Sequence, residues 1–219
     1  MKNPSVSSQL FHFTGFDKAS GLFKPDIDAL NILQLIIQSH HLRLSPNKVH
    51  LVLPKGVDWL SEIDVGVSMA CLTETPLEFI ASHIAKYGKF GLGFKEEWAL
   101  RNGGQNIIYC DRNAPNNFTY IVASIGGYFI RNGAGHDPQK ALWIAELAAI
   151  TESFELRDER EWRFLMAPLA DDKFRAVKFS SNDLQTIVCP KAYIPDIEKT
   201  LRVEGFTPNI VPTEDYWSR

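Results

Sequence analysis

Two polar residues spaced two apart near the amino terminus are the first candidates for chemistry. His12 and Thr14 flank Phe13 in an alternating, aromatic segment over residues 10–14, which predicts a strand. Side chains two apart on a strand share a face, and Phe11 and Phe13 are expected to point outward on either side of them. An imidazole and a hydroxyl on one face can hydrogen-bond a polar small molecule. A solvated edge strand is the alternative interpretation.

A second candidate group is acidic. Glu159 and Glu161 precede the apolar segment of a strand predicted over residues 161–167, so both are expected on one side of the strand entrance. Arg163 is expected to point with Glu161, and Trp162 to the other side. A carboxylate at the rim of a cleft can take up a proton or stabilise a developing positive charge. A charged turn before a strand is the alternative.

The third group lies over residues 67–94. Ser68 belongs to a predicted buried strand, residues 67–72, and Thr73 begins the polar turn that follows. His83 and Tyr87 are four residues apart on the next predicted helix and are therefore neighbours on its surface. A half-exposed histidine and a core tyrosine are the alternatives.

These residues must be positioned by a chain in which strands and helices are interleaved without strict alternation. That order predicts an α+β fold with a mixed central sheet and flanking helices. Helices are predicted over 26–39, 95–102, 118–129 and 195–203, from a cap at Asp137, and from a capping box at Thr75 with Pro76 and Glu78. Further strands are predicted at 41–45, 89–94, 106–110, 174–179, 187–189 and 209–211, with an irregular segment at 47–64 and a turn at 133–135. A single domain over 1–219 is expected, with 185–219 as a small carboxy-terminal lobe in the alternative.

Composition excludes several classes of protein. The 219 residues are 45% hydrophobic with 14 Phe, which excludes global disorder, and the net charge of −3 excludes a basic nucleic-acid clamp as the overall design. No apolar stretch approaches the roughly 20 residues that span a membrane. Three scattered cysteines predict free thiols and a reducing, cytoplasmic compartment. Nucleotide-binding glycine motifs and zinc spacings are missing from the sequence.

The central block, residues 68–110, resembles the core of the AbiGi family of abortive phage-resistance proteins. The pattern includes a Cys-x-Thr turn, Pro-Leu, a His, Tyr-Gly-x-Phe-Gly, a Lys-Glu-Trp-like segment and a closing Ile-Tyr strand. The matching positions are Cys71 to Thr73, Pro76, Leu77, His83, Tyr87 to Gly91, Lys95 to Trp98, Ile108 and Tyr109. His12 to Thr14 and Glu161 to Arg163 also fit, so the resemblance covers roughly residues 10–190. Leu72 departs from the pattern, because an aromatic is common there.

The layout is also similar to ADP-ribosyltransferase-like folds, including the DNA-modifying toxin DarT. The resemblance implies that NAD is the substrate and that Glu161 is the catalytic carboxylate, with Glu159 orienting the acceptor. It implies that His12 and Thr14 hold the adenosine-ribose side of NAD, that Arg43 contacts a phosphate and that Tyr87 stacks on nicotinamide. Ser68 and Thr73 complete the implied NAD-lining set.

The expected function is therefore that of a phage-defence toxin which transfers ADP-ribose to protein, DNA or RNA. The implied partner is a cognate antitoxin or chaperone, with no membrane involved. A non-catalytic antitoxin or regulatory binding protein of such a system is the alternative. A nuclease is a weaker option, because the acidic residues Asp26, Asp28, Glu159 and Glu161 form no recognised metal spacing, and no resident metal is predicted.

Overall fold

The computed structural model of the protein describes residues 9–17, 20–49, 65–111, 113, 117–131, 137–166 and 175–217. The described helices are α1 Asp26–Ser39, α2 Ile80–Tyr87, α3 Glu96–Arg101, α4 Asn117–Arg131, α5 Pro138–Ala149, α6 Ile194–Glu204 and α7 Glu214–Trp217. The strands are β1 Gln9–Phe13, β2 Phe16–Asp17, β3 Leu22–Phe23, β4 His41–Arg43, β5 Ser45–Val49, β6 Val65–Thr73, β7 Gly91–Lys95, β8 Gln105–Asn106, β9 Ile108–Cys110, β10 Thr151–Ser153, β11 Glu161–Met166, β12 Ala176–Lys178, β13 Leu184–Cys189 and β14 Asn209–Pro212. Short 3-10 turns occupy Leu77–Phe79, Phe154–Glu159 and Lys191–Tyr193. The protein is thus α+β, with a mixed central sheet and flanking helices, as predicted.

The chain forms two compact units, each assembled from separate stretches of sequence. The first unit comprises Met1–Arg43, Leu72–Asn102 and Ala176–Arg219, and the second comprises Leu44–Cys71 and Gly103–Arg175. Residues 185–219, which the sequence suggests as a small lobe, belong to the first unit.

The sheet of the first unit follows the order β14-β13-β7-β1 and continues to the end of β6. β13 and β14 are parallel, whereas β13 with β7, β7 with β1, and β1 with β6 are antiparallel. Two short ribbons, β4 with β12 and β2 with β3, complete the strand pairing described for this unit. The mixture of parallel and antiparallel pairs confirms the predicted type of sheet.

One buried cluster of the first unit forms where α2 packs against the sheet. Phe11, Ile80, Ile84 and Val188 are buried together, and Phe13 packs at the edge of this cluster. The expectation that Phe11 points outward is therefore wrong, because only 1% of its surface is exposed. Helix α1 has the predicted bounds. Leu30, Leu33, Ile36 and Ile37 of its apolar stripe are buried, whereas Ile27 is 54% exposed.

The second unit places α4 and α5 against β5 and β6. Its buried cluster combines Val67, Met69, Val122, Ala123, Ala145, Ala148 and Ala149. β11 and β8 pair antiparallel in the same sheet as β6, and β9 pairs with β10 in parallel. The predicted cap of α5 is confirmed, because the Asp137 carboxylate accepts the backbone N–H groups of Gln139 at 3.0 Å and Lys140 at 3.4 Å.

Three local expectations are corrected. The predicted strand over 106–110 divides at Ile107 into β8 and β9. Residues 45–49 form strand β5, although the sequence predicts an irregular segment over 47–64. The rest of that segment, residues 50–64, lies outside the described residues. So do the predicted turn at 133–135 and residue 174. The capping box at Thr75 does not form: a 3-10 turn precedes α2, which has no side-chain cap. None of the described helices is long and apolar enough to cross a membrane.

Candidate functional site

The end of β1 carries the first predicted pair. His12 is half-buried and lies opposite Leu92 of β7. Thr14 follows the strand, is buried, and its hydroxyl donates to the carbonyl of Ala29 in α1 at 2.9 Å. The single proton of that hydroxyl is thereby used within the fold, although its oxygen retains acceptor capacity.

Two glycines fix the end of β1 against the end of α2. A Cβ added to Gly15 would lie 2.8 Å from the Cα of Gly88, and one added to Gly88 would lie 2.7 Å from the Cα of Gly15. Gly88 also has φ +97°, in the region that favours glycine. The contact brings Tyr87, the last residue of α2, close to β1.

Aromatic rings gather at this junction. The ring of Phe13 lies 6.4 Å from the imidazole of His83 and 6.3 Å from the ring of Tyr87, stacked on both. His83 and Tyr87 lie 6.1 Å apart, as their spacing on α2 predicts, and Phe16 meets Tyr87 edge-on at 6.4 Å. Tyr87 is half-buried, and the Nζ of Lys86 lies over its ring, 5.0 Å from the centroid. Such a surface can stack on a planar ligand.

A buried cluster of hydroxyls and imidazole lies beside these rings. The Thr73 hydroxyl is 2.8 Å from that of Thr75 and 2.9 Å from His83 Nε2, and the Thr75 hydroxyl is 3.2 Å from the same nitrogen. His83, predicted as half-exposed in the alternative interpretation, is only 7% exposed. The Thr75 hydroxyl therefore contacts the side chains of Thr73 and His83 and does not cap α2. Sequence reasoning missed this trio, although the Thr-x-Thr spacing was its signal.

The remaining predicted NAD-lining residues, Arg43 and Ser68, lie on β4 and β6. Arg43 is exposed on β4, where it lies opposite Ala176 of β12 in the first unit. Ser68 is half-buried on β6 in the second unit, opposite Pro46 of β5. Of the six residues in that predicted set, only Thr73 and Tyr87 are joined by the contacts around Phe13 and His83 described above.

Glu161 lies in a network of charges in the second unit. Its carboxylate accepts Nε and Nη2 of Arg163 at 2.9 Å and 2.7 Å. Nη2 of Arg163 also donates to Glu152 at 2.8 Å, and Nη1 donates to the carbonyl of Ala149 at 2.7 Å. Burial alone would lower the pKa of Arg163, but the hydrogen bonds and charge of Glu161 raise that pKa above its usual range. The expected position of Glu161 at a cleft rim is thus not observed, because only 8% of its surface is exposed.

Tyr109 hydrogen-bonds the first residue of β11. Its hydroxyl oxygen accepts the backbone N–H of Glu161 at 2.8 Å. Burial is the largest cause that raises the pKa of Tyr109 to about 12, which keeps the phenol protonated. The sequence predicts that Glu159 lies at the strand entrance with Glu161, but Glu159 instead ends a 3-10 turn. Arg160, between the two glutamates, has a left-handed backbone with φ 43°. Glu159 and Glu161 therefore do not share one face of a strand, contrary to the expectation.

No three His, Cys, Asp or Glu side chains come together as a metal site in the part of the chain that the structure describes. Comparisons with models of protein families, with curated proteins and with solved structures found no match.

Proposed function

We propose that the protein is an ADP-ribosyltransferase-like toxin of a phage-defence system, which transfers ADP-ribose from NAD to a protein or nucleic acid. The observation that carries the proposal is the junction of β1, β6 and α2. The half-buried ring of Tyr87 lies there beside the rings of Phe13 and His83, and the Thr73 hydroxyl is 2.9 Å from His83 Nε2. A flat aromatic next to fixed polar groups suits a nicotinamide ring and its attached ribose.

Within this proposal, residues of the first unit bind NAD. Tyr87 stacks on the nicotinamide, and His12 and Thr14 hydrogen-bond the adenosine ribose, as the resemblance to DarT implies. The close Gly15–Gly88 contact holds the backbone at Tyr87 against the end of β1, so little backbone rearrangement is needed when a ligand binds.

Glu161 supplies the proposed catalytic carboxylate. Cleavage of the nicotinamide–ribose bond builds positive charge on the ribose, and a fixed negative charge stabilises that state. Arg163 fixes the carboxylate by two hydrogen bonds, which favours precise positioning.

The same pairing favours a second candidate function. Arg163 occupies both carboxylate oxygens of Glu161, as expected of a purely structural ion pair. A non-catalytic antitoxin or regulatory protein of the same kind of system would keep such a pair for stability alone.

Labelled NAD distinguishes the two functions. The purified chain is incubated with labelled NAD and total cell protein or nucleic acid, and both NAD turnover and labelled acceptor are measured. We expect Glu161→Gln to abolish transfer, and Tyr87→Ala to weaken NAD binding.

Glu152→Gln is the matched control, because it also removes a carboxylate from Arg163 without changing Glu161. It is expected to retain transfer. The transferase proposal is contradicted if the wild-type chain neither binds nor turns over NAD, or if Glu161→Gln and Glu152→Gln are equally active. Either result would favour the non-catalytic function.

A further inference from the structure

Helix α4 of the second unit has one buried side and one exposed side. The buried side belongs to the cluster that α4 forms with α5. On the other side Tyr120 and Tyr128 are 54% and 60% exposed, and Ile121 and Ile125 are 53% and 40% exposed. These four are half of the large exposed hydrophobic residues that the structure describes in the second unit. Apolar side chains grouped in this way mark surfaces that bind other molecules.

The spacing of these residues places them on one continuous surface, which we call the α4 face. Tyr120, Ser124 and Tyr128 are four residues apart, so they form one row along the helix. Ile121 and Ile125 form the neighbouring row, and all five residues are exposed. The α4 face therefore runs over more than two turns of helix without a buried residue.

The α4 face carries no charge. The only charged residue in the sequence of α4 is Arg131, at its end. The exposed surface of α6, by contrast, includes Glu198, Lys199 and Arg202. A helix surface that meets only water normally carries charged residues, whereas the centre of a protein interface is depleted in charge and enriched in tyrosine. An occupant of the α4 face therefore presents an uncharged, apolar surface of its own.

The order of the residues makes the α4 face complementary to a second copy of itself. The main row is Tyr120, Ser124 and Tyr128, which is the same in both directions along the helix. A two-fold interface uses the same surface on both copies, so that surface must be self-complementary. With the two-fold axis at Ser124, Tyr120 meets Tyr128 of the partner subunit, and the small serine side chains let the two helices approach closely.

The area of the α4 face fits a reversible dimer. A large apolar side chain has a surface of about 200 Å², so the exposed parts of the two tyrosines and two isoleucines amount to about 400 Å² per copy. Two copies would bury about 800 Å² through these four residues alone, which is about half of a standard interface. We therefore expect dissociation in the micromolar range.

We propose that the α4 face is a two-fold interface between two copies of this chain. The apolar rows supply the affinity, and the position of Ser124 between the two tyrosines fixes the register of one helix against the other. None of the residues assigned to NAD or to transfer lies on α4. The interface therefore goes beyond the proposed function and stands or falls separately.

Sedimentation equilibrium of the full chain over roughly 1–200 µM measures the association, and the wild type is expected to change from monomer to dimer within that range. Ile121→Lys brings like charges into the apolar contact and is expected to weaken the association by at least about tenfold. Val203→Lys is the matched control, because Val203 is 76% exposed on α6 in the first unit. It should leave the association unchanged.

Ser124→Cys tests the position of the axis. The introduced thiols face each other across the two-fold axis, so oxidation with diamide should link two copies through residue 124, as mass spectrometry of the linked peptide can show. The wild type, with its three free cysteines, gives the background. Ser39→Cys, at the exposed end of α1, is the control and should stay at that background. Circular dichroism checks that each variant keeps the wild-type fold.

The proposal is overturned if the wild type stays monomeric at every concentration or if Ile121→Lys associates like the wild type. It is also overturned if Ser124→Cys forms no more linked dimer than Ser39→Cys. A monomeric wild type that co-sediments with phosphatidylcholine vesicles, and loses this binding in Ile121→Lys, would assign the α4 face to a lipid surface and overturn the proposal as well.

Discussion

Arg163 and Glu161, two residues apart on β11, are joined by two hydrogen bonds of 2.9 Å and 2.7 Å. The alternation of the strand puts them on one side, as the sequence predicts. The side chains are only 6% and 10% exposed, so water contributes little to either charge. Both charges of this pair are therefore shielded from solvent, and each depends on the other for compensation.

Removal of Glu161 should destabilise the protein even if the residue is catalytic. Glu161→Gln leaves the Arg163 guanidinium buried with a weaker partner, and we expect a loss of roughly 3 kcal/mol, at the low end for a broken buried pair. Glu152→Gln should cost less, because the Glu152 side chain is 29% exposed. Urea unfolding of both variants measures the difference. Equal losses would contradict the dominant role assigned to Glu161.

Two substitutions distinguish whether Thr75 caps α2 locally or hydrogen-bonds His83 in the folded protein. Thr75→Val keeps the shape but removes the hydroxyl from His83 and Thr73, and should cost about 1–2 kcal/mol. Glu78→Ala should change stability by less than about 0.5 kcal/mol, because the capping box does not form and Glu78 is exposed. Thermal melts of the two variants give the comparison. A large loss of stability for Glu78→Ala would contradict this and indicate that the capping box forms.

Gly88 should tolerate no side chain. Gly88→Ala meets both an unfavourable φ of +97° and a contact of 2.7 Å with Gly15, so we expect a loss of more than about 2 kcal/mol. Gly205→Ala is the matched control, because its φ is +72° with no atom within 4 Å, and only the backbone cost of about 1 kcal/mol remains. Both are measured by chemical unfolding. Similar losses would show that the contact with Gly15 has little energetic weight.

Asp183 should make stability depend on acid pH. Burial would raise the pKa of Asp183, but hydrogen bonds from Ser180 and Arg101 outweigh it and hold the pKa below its ordinary value of 3.8. A lowered folded pKa means that Asp183 stabilises the fold above the ordinary value and that this contribution is lost as the pH falls through the folded pKa. Arg101 is 62% exposed, so the Ser180 bonds are expected to dominate.

We therefore expect Asp183→Asn to be less stable than the wild type at pH 7 by about 2 kcal/mol, with the difference shrinking below about pH 4. Asp26→Asn is the control, since its pair with Lys89 is at the surface and should contribute little. Urea midpoints across the pH range measure both. A difference that stays constant from neutral to acid pH would contradict the assignment.

The three cysteines should differ in reactivity. All are free, as predicted; Cys71 is half-exposed, and Cys110 and Cys189 are buried. Burial raises the pKa of Cys110, and raises that of Cys189 to about 12, so neither forms the reactive thiolate readily. We expect Ellman's reagent to modify Cys71 first and all three thiols only after unfolding. A fast reaction of Cys189 in the native protein would contradict its burial.

The sequence predicted regular elements well and their side-chain partners less well. Helix α1 follows directly from the spacing of Leu30, Leu33 and Ile37, because the periodicity is set by burial of one face. Thr75 matched a local capping signal, but His83 offered a competing partner that only the fold brings near. Glu159 was misplaced because the left-handed Arg160 has no signature within a charged segment.

The pairing of β7 with β13 has a consequence for how the chain is made. β13 begins at Leu184, whereas its partner β7 and the next strand, β1, are synthesised much earlier. The first unit therefore cannot complete its sheet on the ribosome until most of the chain has emerged. Until then β7 presents a bare strand edge, which is where nascent chains aggregate and where chaperones bind. We therefore expect this strand order to make folding slow and largely post-translational.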